Sequence, residues 1–192
     1  MSQSQSPSDV LKAEHQVILR VLGVLKVLLE RAERGEFAAG SWRQCVEFFR
    51  LFADLCHHGK EEDLLFPVLE QRGIPREGGP IGVMLHEHTV GRRLVGEMAA
   101  SIDGAEKGDA QSRDRCLSAA RQYIEMLTGH IYKEDNILFA MGDRVMKPTD
   151  QASLCESFGE VGCRAFAGRR REELEALADA LCDMWAGPSA TR

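Results

Sequence analysis

The residues most able to do chemistry in this 192-residue chain are histidines and glutamates that recur at a fixed spacing. In each of two sets, a histidine is followed 42 residues later by a second histidine, and a glutamate lies four residues beyond that. The sets are His15, His57 and Glu61, and then His88, His130 and Glu134. Imidazole and carboxylate groups together ligate divalent metal ions, so the spacing indicates a metal site with half of its ligands from each half of the chain.

The similarity between the two sets extends to their neighbours, with a constant offset of 73 residues. Glu14 corresponds to Glu87 and Lys60 to Lys133, and Glu62 corresponds to Asp135 in charge. A leucine and a phenylalanine follow each glutamate at the same distance. This repeat predicts a pseudo-two-fold arrangement of two helix pairs, each pair supplying the same ligands.

The four-residue step from histidine to glutamate has a mechanical reason. Residues i and i+4 lie on one face of a helix, so His57 and Glu61 can point at the same spot, as can His130 and Glu134. Buried together without metal, these groups would leave uncompensated charges. A pair of divalent ions removes that cost if each glutamate bridges both ions and each ion takes two histidines. The remaining coordination positions would take water, hydroxide or a small exogenous molecule, and the ligands suit iron, manganese or zinc.

Almost every periodic segment indicates helix, and strand-like alternation is scarce. The predicted helices run from Ser8 or Asp9 to Arg34, from Ser41 to Arg72, from Ile81 to Ile102 and from Ala110 to Met141. The predicted ends are Gly35, Gly73, Asp103-Gly104 and Gly142. Pro67 is predicted to kink the second helix. Four long helices with short connections favour an all-α, up-down-up-down four-helix bundle, with one or two extra C-terminal helices.

The bundle is predicted over residues 8–142, and residues 143–192 form a C-terminal helical extension. The last helix, about Arg169 to Trp185, carries an apolar stripe of Leu174, Leu177, Leu181 and Met184. This stripe packs either on the bundle or on a partner, which would be a second copy of the chain or another protein. The run of three arginines at 169–171 is interpreted as a solvated helix start.

Composition narrows the class of protein. A net charge of −6 argues against a nucleic-acid or anionic-membrane surface, and no stretch is apolar enough to span a bilayer. The first eight residues lack the apolar segment of a secretory signal, so a cytoplasmic location is expected. The six cysteines contain no C-x-x-C pair, and most are interpreted as small buried residues.

Three further side chains are alternates for the metal site. His58 and Glu62 form a competing i, i+4 pair, rotated by about 100° from the first. His58 is therefore expected behind the ligands or at the surface. His86 lies two residues before His88, so it is expected on the outer face. Tyr123 lies on the stripe of His130 and is expected to pack in the core. Glu14 receives no chemical role.

The motifs resemble the hemerythrin-like HHE cation-binding family over about residues 8 to 142. The matching elements are Glu14-His15, the run from His57 to Pro67, Glu87-His88 and the run from His130 to Phe139. The resemblance implies a four-helix bundle with a non-haem di-iron centre of Fe2+ or Fe3+ ions, with an oxo or hydroxo bridge. Members carry oxygen, sense oxygen or iron, respond to nitric oxide or help to repair iron–sulfur clusters.

The sequence departs from oxygen-carrying hemerythrins, which place a fifth histidine on the third ligand helix. Met84 and Arg92 stand at the corresponding positions around His88, which argues against reversible oxygen carriage and for a centre with fewer histidines. The leading hypothesis is a di-iron protein that binds or senses oxygen, nitric oxide or peroxide. The alternatives are an enzyme of iron–sulfur cluster repair or of nitric oxide or peroxide reduction, and a metal-state regulator that acts through its C-terminal helices.

Overall fold

A computed structural model describes residues 5–162 and 164–185, and nearly all of them are helical. The α-helices are α1 (Pro7–Glu33), α2 (Ala39–Phe48), α3 (Phe66–Gln71), α4 (Pro80–Glu106), α5 (Ala110–Lys133), α6 (Phe139–Val145), α7 (Pro148–Gly162) and α8 (Arg171–Trp185). Wider π-helical turns form π1 (Phe49–His58), π2 (Glu61–Leu65) and π3 (Glu134–Leu138). The strands β1 (Ala165–Phe166) and β2 (Arg169–Arg170) pair antiparallel. Cys163 and residues 186–192 of the predicted extension lie outside the described residues.

Four helical rods build the bundle, which confirms the predicted fold class. They are α1, the continuous helical path over residues 39–71, α4, and the continuous path over residues 110–145. The first rod begins one or two residues earlier than predicted, because Ser6 accepts from the backbone N–H of Asp9 while Asp9 accepts from that of Ser6. Pro7 takes the first helical position, where its missing N–H costs nothing. Ser8 instead donates to Asp143.

Two glycines predicted to end helices lie inside them. α4 continues past Gly104, where an added Cβ would come within 2.3 Å of the Ser112 hydroxyl. The last rod continues past Gly142, where an added Cβ would lie 3.0 Å from a methyl group of Leu69. Both glycines therefore permit close approach of neighbouring helices, a use that sequence alone does not distinguish from a helix stop. Pro67 falls in the first turn of α3, directly after π2, and the rod runs on through it.

The C-terminal segment packs on the bundle. Leu174, Leu177 and Leu181 are buried in the same apolar cluster as residues of α1, α2, π1, α4 and α5, whereas Met184 is 63% exposed. The three-arginine run does not simply start a solvated helix. Arg169 and Arg170 form β2, while only Arg171 begins α8. No described helix is long and apolar enough to cross a membrane.

Truncation of the apolar stripe of α8 tests whether it is core. Leu174→Ala is expected to lower the free energy of unfolding by about 2–5 kcal/mol, because the side chain is fully buried. Met184→Ala, on the same helix but exposed, is expected to stay within about 0.5 kcal/mol of the wild type. Urea unfolding followed by circular dichroism measures both. Equal small effects would mean that α8 adds nothing to the core.

Candidate metal centre

Seven side chains from the four rods converge in the middle of the bundle. Each is at most 6% exposed. They are His15, His57, His58, Glu61, His88, His130 and Glu134. All six residues predicted from the repeat are among them, and His58 is the additional member.

The seven side chains form two overlapping clusters. One contains His58, His88, His130 and Glu61, and the other contains His15, His57, Glu61 and Glu134. Within each cluster the ligand atoms lie within 4.8 Å of one another. Glu61 belongs to both clusters, so its two carboxylate oxygens face both. The clusters are named here the three-histidine cluster and the two-histidine cluster.

The Nε2 atoms of the histidines face the two glutamates. His15 Nε2 lies 3.2 Å from a Glu134 oxygen, and His130 Nε2 lies 3.3 Å from the same oxygen. His57 Nε2 and His88 Nε2 lie 3.6 and 3.4 Å from the two oxygens of Glu61. Glu134 also approaches His88, with its other oxygen 4.0 Å from Nε2. The two carboxylates therefore occupy the middle of the site, with imidazoles on both sides.

His58 departs from its expected place at the surface or behind the ligands. Its ring stacks on that of His88, with centroids 3.8 Å apart and planes at 15°. The cause is π1, because a π-helical stretch has more residues per turn and brings consecutive side chains closer to one face. His57 and His58 both point inward as a result. The position 73 residues after His58 is Ile131, so the repeat fails here and the imidazoles divide three and two rather than two and two.

The other two alternates stay out of the clusters. Glu62 does not face the centre but accepts a hydrogen bond from Nδ1 of His88 at 2.6 Å and another from Arg92. His86 is exposed, as its spacing predicts. Of the three alternates, only His58 reaches the site.

Each of four histidines is held from behind by a carboxylate, which sequence reasoning missed. Because a carboxylate only accepts, Nδ1 carries the proton and Nε2 is left with a free lone pair toward the centre. The pairs are His15 with Asp135 at 2.7 Å, His57 with Glu14 at 3.0 Å, His88 with Glu62 at 2.6 Å and His130 with Glu87 at 2.9 Å. Lys60 and Lys133 in turn donate to Glu14 and Glu87.

The 73-residue repeat relates these pairs to one another, and it was the available signal for their role. The expectation that Glu14 has no chemical role is wrong in this respect. Its partner Glu87 and the charge match between Glu62 and Asp135 followed the same offset as the ligands themselves. Residues that recur with the ligands are the ones that orient them.

Burial and mutual repulsion set the protonation of the central carboxylates. Burial raises the pKa of Glu61 well above its usual range, and the charge of Glu134 adds to that shift. Burial acts in the same sense on Glu134, but His130 and His15 outweigh it and hold the pKa of Glu134 well below its usual range. In the protein alone, the pair divides into one neutral and one ionised acid.

The histidines diverge for the same reasons. Burial lowers the pKa of His57 to about 4, although Glu14 opposes the shift. Burial would also lower the pKa of His130, yet Glu134 and Glu87 raise it to about 9. A neutral imidazole is the form that ligates a metal, so His57 is already in its ligating state at neutral pH.

The donor set fits metal ions. Nε2 of His15 and of His57 and all four oxygens of Glu61 and Glu134 are buried without a hydrogen-bond partner in the described part of the chain. Their short separations do not satisfy them, because the groups are not aligned for hydrogen bonding. A buried unsatisfied polar atom costs about 1–3 kcal/mol, and a cation between these atoms would partner them all. Mixed imidazole and carboxylate donors suit iron, manganese or zinc.

The fold and site together define a class: a four-helix bundle with interior histidine–carboxylate clusters able to hold metal. The chain belongs to the hemerythrin family, because the hemerythrin HHE cation binding domain matches residues 6–142. The match covers the four rods up to Gly142 and ends before α7, the hairpin and α8.

Several curated proteins are similar to the chain. A protein of Mycobacterium tuberculosis, named only as uncharacterised, is 26% identical over 162 residues, which are 84% of this chain and 62% of that protein. The iron-sulfur cluster repair protein DnrN of Neisseria gonorrhoeae is 36% identical over 89 residues, 45% of this chain and 56% of that protein. The iron-sulfur cluster repair protein YtfE of Yersinia pestis is 28% identical over 138 residues, 69% and 62%. The chain thus spans about three fifths of the length of these relatives. No solved structure gives a significant match.

Proposed function

We propose that the protein holds two iron ions, one in each cluster, and uses them to bind or sense a small ligand such as oxygen, nitric oxide or peroxide. The observation that carries this proposal is the pair of donor clusters that share Glu61, with their unpartnered atoms directed inward. When bound, such a pair supplies Lewis acidity and one-electron redox chemistry. A reducing compartment would keep the pair ferrous and thiols such as Cys56 reduced, and we propose the cytoplasm.

The chain's own residues divide the work. Glu61 spans both clusters, and Glu134 balances charge between His15 and His130. The carboxylates behind the histidines fix each ring in one tautomer, so the free lone pairs of Nε2 stay directed inward. The two-histidine cluster offers fewer nitrogen donors than the other, which gives the two ions different surroundings. Unequal surroundings favour attachment of an added ligand at one ion rather than at both.

A cavity of about 270 Å³ adjoins the three-histidine cluster and offers a route for the ligand. Its apolar wall includes Phe49, Val95 and Met126, and its inner end reaches His88 and His130. A water molecule occupies about 30 Å³ in the liquid, so the cavity exceeds the needs of a diatomic molecule. An apolar wall favours uncharged ligands such as oxygen, nitric oxide and hydrogen peroxide over anions.

Tyr123 places a phenol in the same cavity wall. It was expected only to pack in the core, and it is indeed 3% exposed. Burial raises the pKa of Tyr123, so the phenol keeps its proton at neutral pH and can donate a hydrogen bond. We propose that this hydroxyl donates to a ligand that enters the cavity.

Ligand titration of the iron-loaded, reduced protein tests the proposal. Nitric oxide, oxygen and hydrogen peroxide are added separately, and the optical spectrum is followed. Tyr123→Phe retains the ring and removes the donor, so it should weaken binding about 2- to 10-fold, the value of one net hydrogen bond. Tyr132→Phe, at a 64% exposed tyrosine, is the matched control. No spectral response to any of the three ligands would overturn ligand binding as the function.

Repair of iron–sulfur clusters is the second candidate, favoured by the two relatives that bear that name. An iron–sulfur enzyme inactivated by nitric oxide would be incubated with the iron-loaded protein under anaerobic conditions. Recovery of its activity, beyond that given by free ferrous iron, would support repair. Recovery equal to that with free iron would leave ligand binding as the function.

A further inference from the structure

The segment beyond the bundle reaches back to the metal centre through one arginine. Nη1 of Arg171, the first residue of α8, lies 3.2 Å from Oε1 of Glu14. Lys60 donates to the same oxygen, and the other oxygen of Glu14 accepts from Nδ1 of His57 at 3.0 Å. Arg171 is therefore two contacts away from Nε2 of His57. It also lies outside residues 6–142, the part of the chain that the family domain matches.

The hairpin and α8 fix Arg171 at this place. Ala167 and Gly168 both have positive φ, 49° and 83°, which turns the chain sharply between β1 and β2. Both β1 and α8 contact π1, the segment that carries His57. The Nε atom of Arg171 donates to Glu175 one turn along α8 at 2.8 Å. The guanidinium thus bridges a carboxylate of the C-terminal helix and the carboxylate that orients His57.

The other half of the repeat lacks this contact. Glu87 orients His130 as Glu14 orients His57, and Lys133 serves it as Lys60 serves Glu14. Within the described residues, no side chain from 164–185 pairs with Glu87. The Glu87 side chain is 18% exposed, whereas that of Glu14 is fully buried. The repeat therefore supplies two equivalent carboxylates, and only one of them is covered by the extension.

We propose that Arg171 is a positioning residue for the two-histidine cluster, through which the C-terminal extension controls how firmly that half of the centre is held. A buried carboxylate is stable only when its charge is compensated, and Glu14 must serve His57 at the same time. The planar guanidinium, held on its other side by Glu175, restrains Glu14 in direction as well as in charge. Its removal frees Glu14 to rotate and admits water beside it. Release of metal from His15 and His57 then becomes easier, while His58, His88 and His130 are unaffected.

Arg171→Met tests this, because it retains most of the stem and removes the charged group. Arg171→Lys restores the charge without the planar fork, and Arg170→Met, at a side chain 72% exposed, is the matched control. Release of Fe2+ from the loaded protein to an excess of chelator is followed optically. In Arg171→Met, one of two kinetic phases should quicken about 10-fold while the other is unchanged, the size of effect typical of residues behind metal ligands. Arg171→Lys should recover part of the loss.

A second readout needs no metal. In metal-free protein labelled with ¹⁵N-histidine, Arg171→Met should shift the ring signals of His57 and leave those of His130 in place. Unchanged His57 signals, or equal acceleration of both release phases, would overturn the inference. The inference rests on the proposed function only for its metal arm. If the wild type takes up no iron, the proposed function fails, and the ring signals alone decide whether Arg171 positions His57.

Discussion

Glu61→Gln is expected to abolish metal binding at both clusters. Glu61 is the one residue that belongs to both, and glutamine retains its size while losing the charge and one ligating oxygen. Loss of a residue merely behind a ligand lowers metal affinity about 10- to 100-fold, so loss of the shared ligand should cost ~100-fold or more at each ion. Metal content after dialysis and competition with a chelator measure the effect.

The fold should survive this change, which separates a ligand effect from a folding effect. Burial already raises the pKa of Glu61, so the side chain is close to neutral when no metal is bound, and glutamine resembles that form. Metal-free wild type and variant should therefore melt within a few degrees of each other. Asp63→Asn, at an exposed position two residues later, is the control for a lost charge on the same rod. A Glu61→Gln protein that retains both ions would contradict the assignment of a shared ligand.

His58→Leu should remove about one metal ion per chain and leave the other. His58 belongs only to the three-histidine cluster, and leucine fills the space without a donor atom. The three-histidine cluster would retain His88, His130 and Glu61, while the two-histidine cluster would keep all its members. We expect ~10- to 100-fold weaker binding at the affected cluster, at least as large as for residues behind ligands. Stoichiometry by titration with Fe2+ or Co2+ measures it.

The matched control for His58 is His86→Leu, because His86 was the other histidine that the repeat left over and its side chain is exposed. It should bind metal as the wild type does. If His58→Leu binds two ions with wild-type affinity, then the centre uses four histidines, and the symmetric arrangement expected from the repeat is correct after all.

The sequence alone was sufficient for the fold class and for bringing six residues together. Periodic apolar positions locate four rods, and the repeat identifies one histidine on each rod and two glutamates, because function and symmetry leave the same trace in spacing. The prediction failed at His58 because it assumed 3.6 residues per turn. The π-helical turns of π1 change that count, and no propensity or composition signal in the sequence marks them.

Two other failures have a similar origin in packing. Gly104 and Gly142 were predicted to end helices, since glycine is common at helix ends, but each makes room for a neighbouring side chain. Arg171 was interpreted as solvated because arginine in a basic run usually is. Its partner Glu14 is 157 residues away in the chain, and a contact at that distance depends on the full tertiary structure.

The asymmetry between the halves has a functional reading. An internal repeat would give two equal metal sites, yet His58 adds an imidazole to one and Arg171 covers the carboxylate behind the other. The cavity reaches only the three-histidine cluster among the two. Ligand entry and control by the C-terminal extension therefore lie on different halves of the centre.

The measurement that tests the central claim most directly is the metal content and optical spectrum of the wild-type protein, purified in air and then reduced without oxygen. We predict about two irons per chain, one for each donor cluster, with near-ultraviolet charge-transfer absorption that is lost on reduction. Less than about one metal ion per chain, or zinc alone with no change on reduction, would contradict a redox-active pair held by these seven side chains.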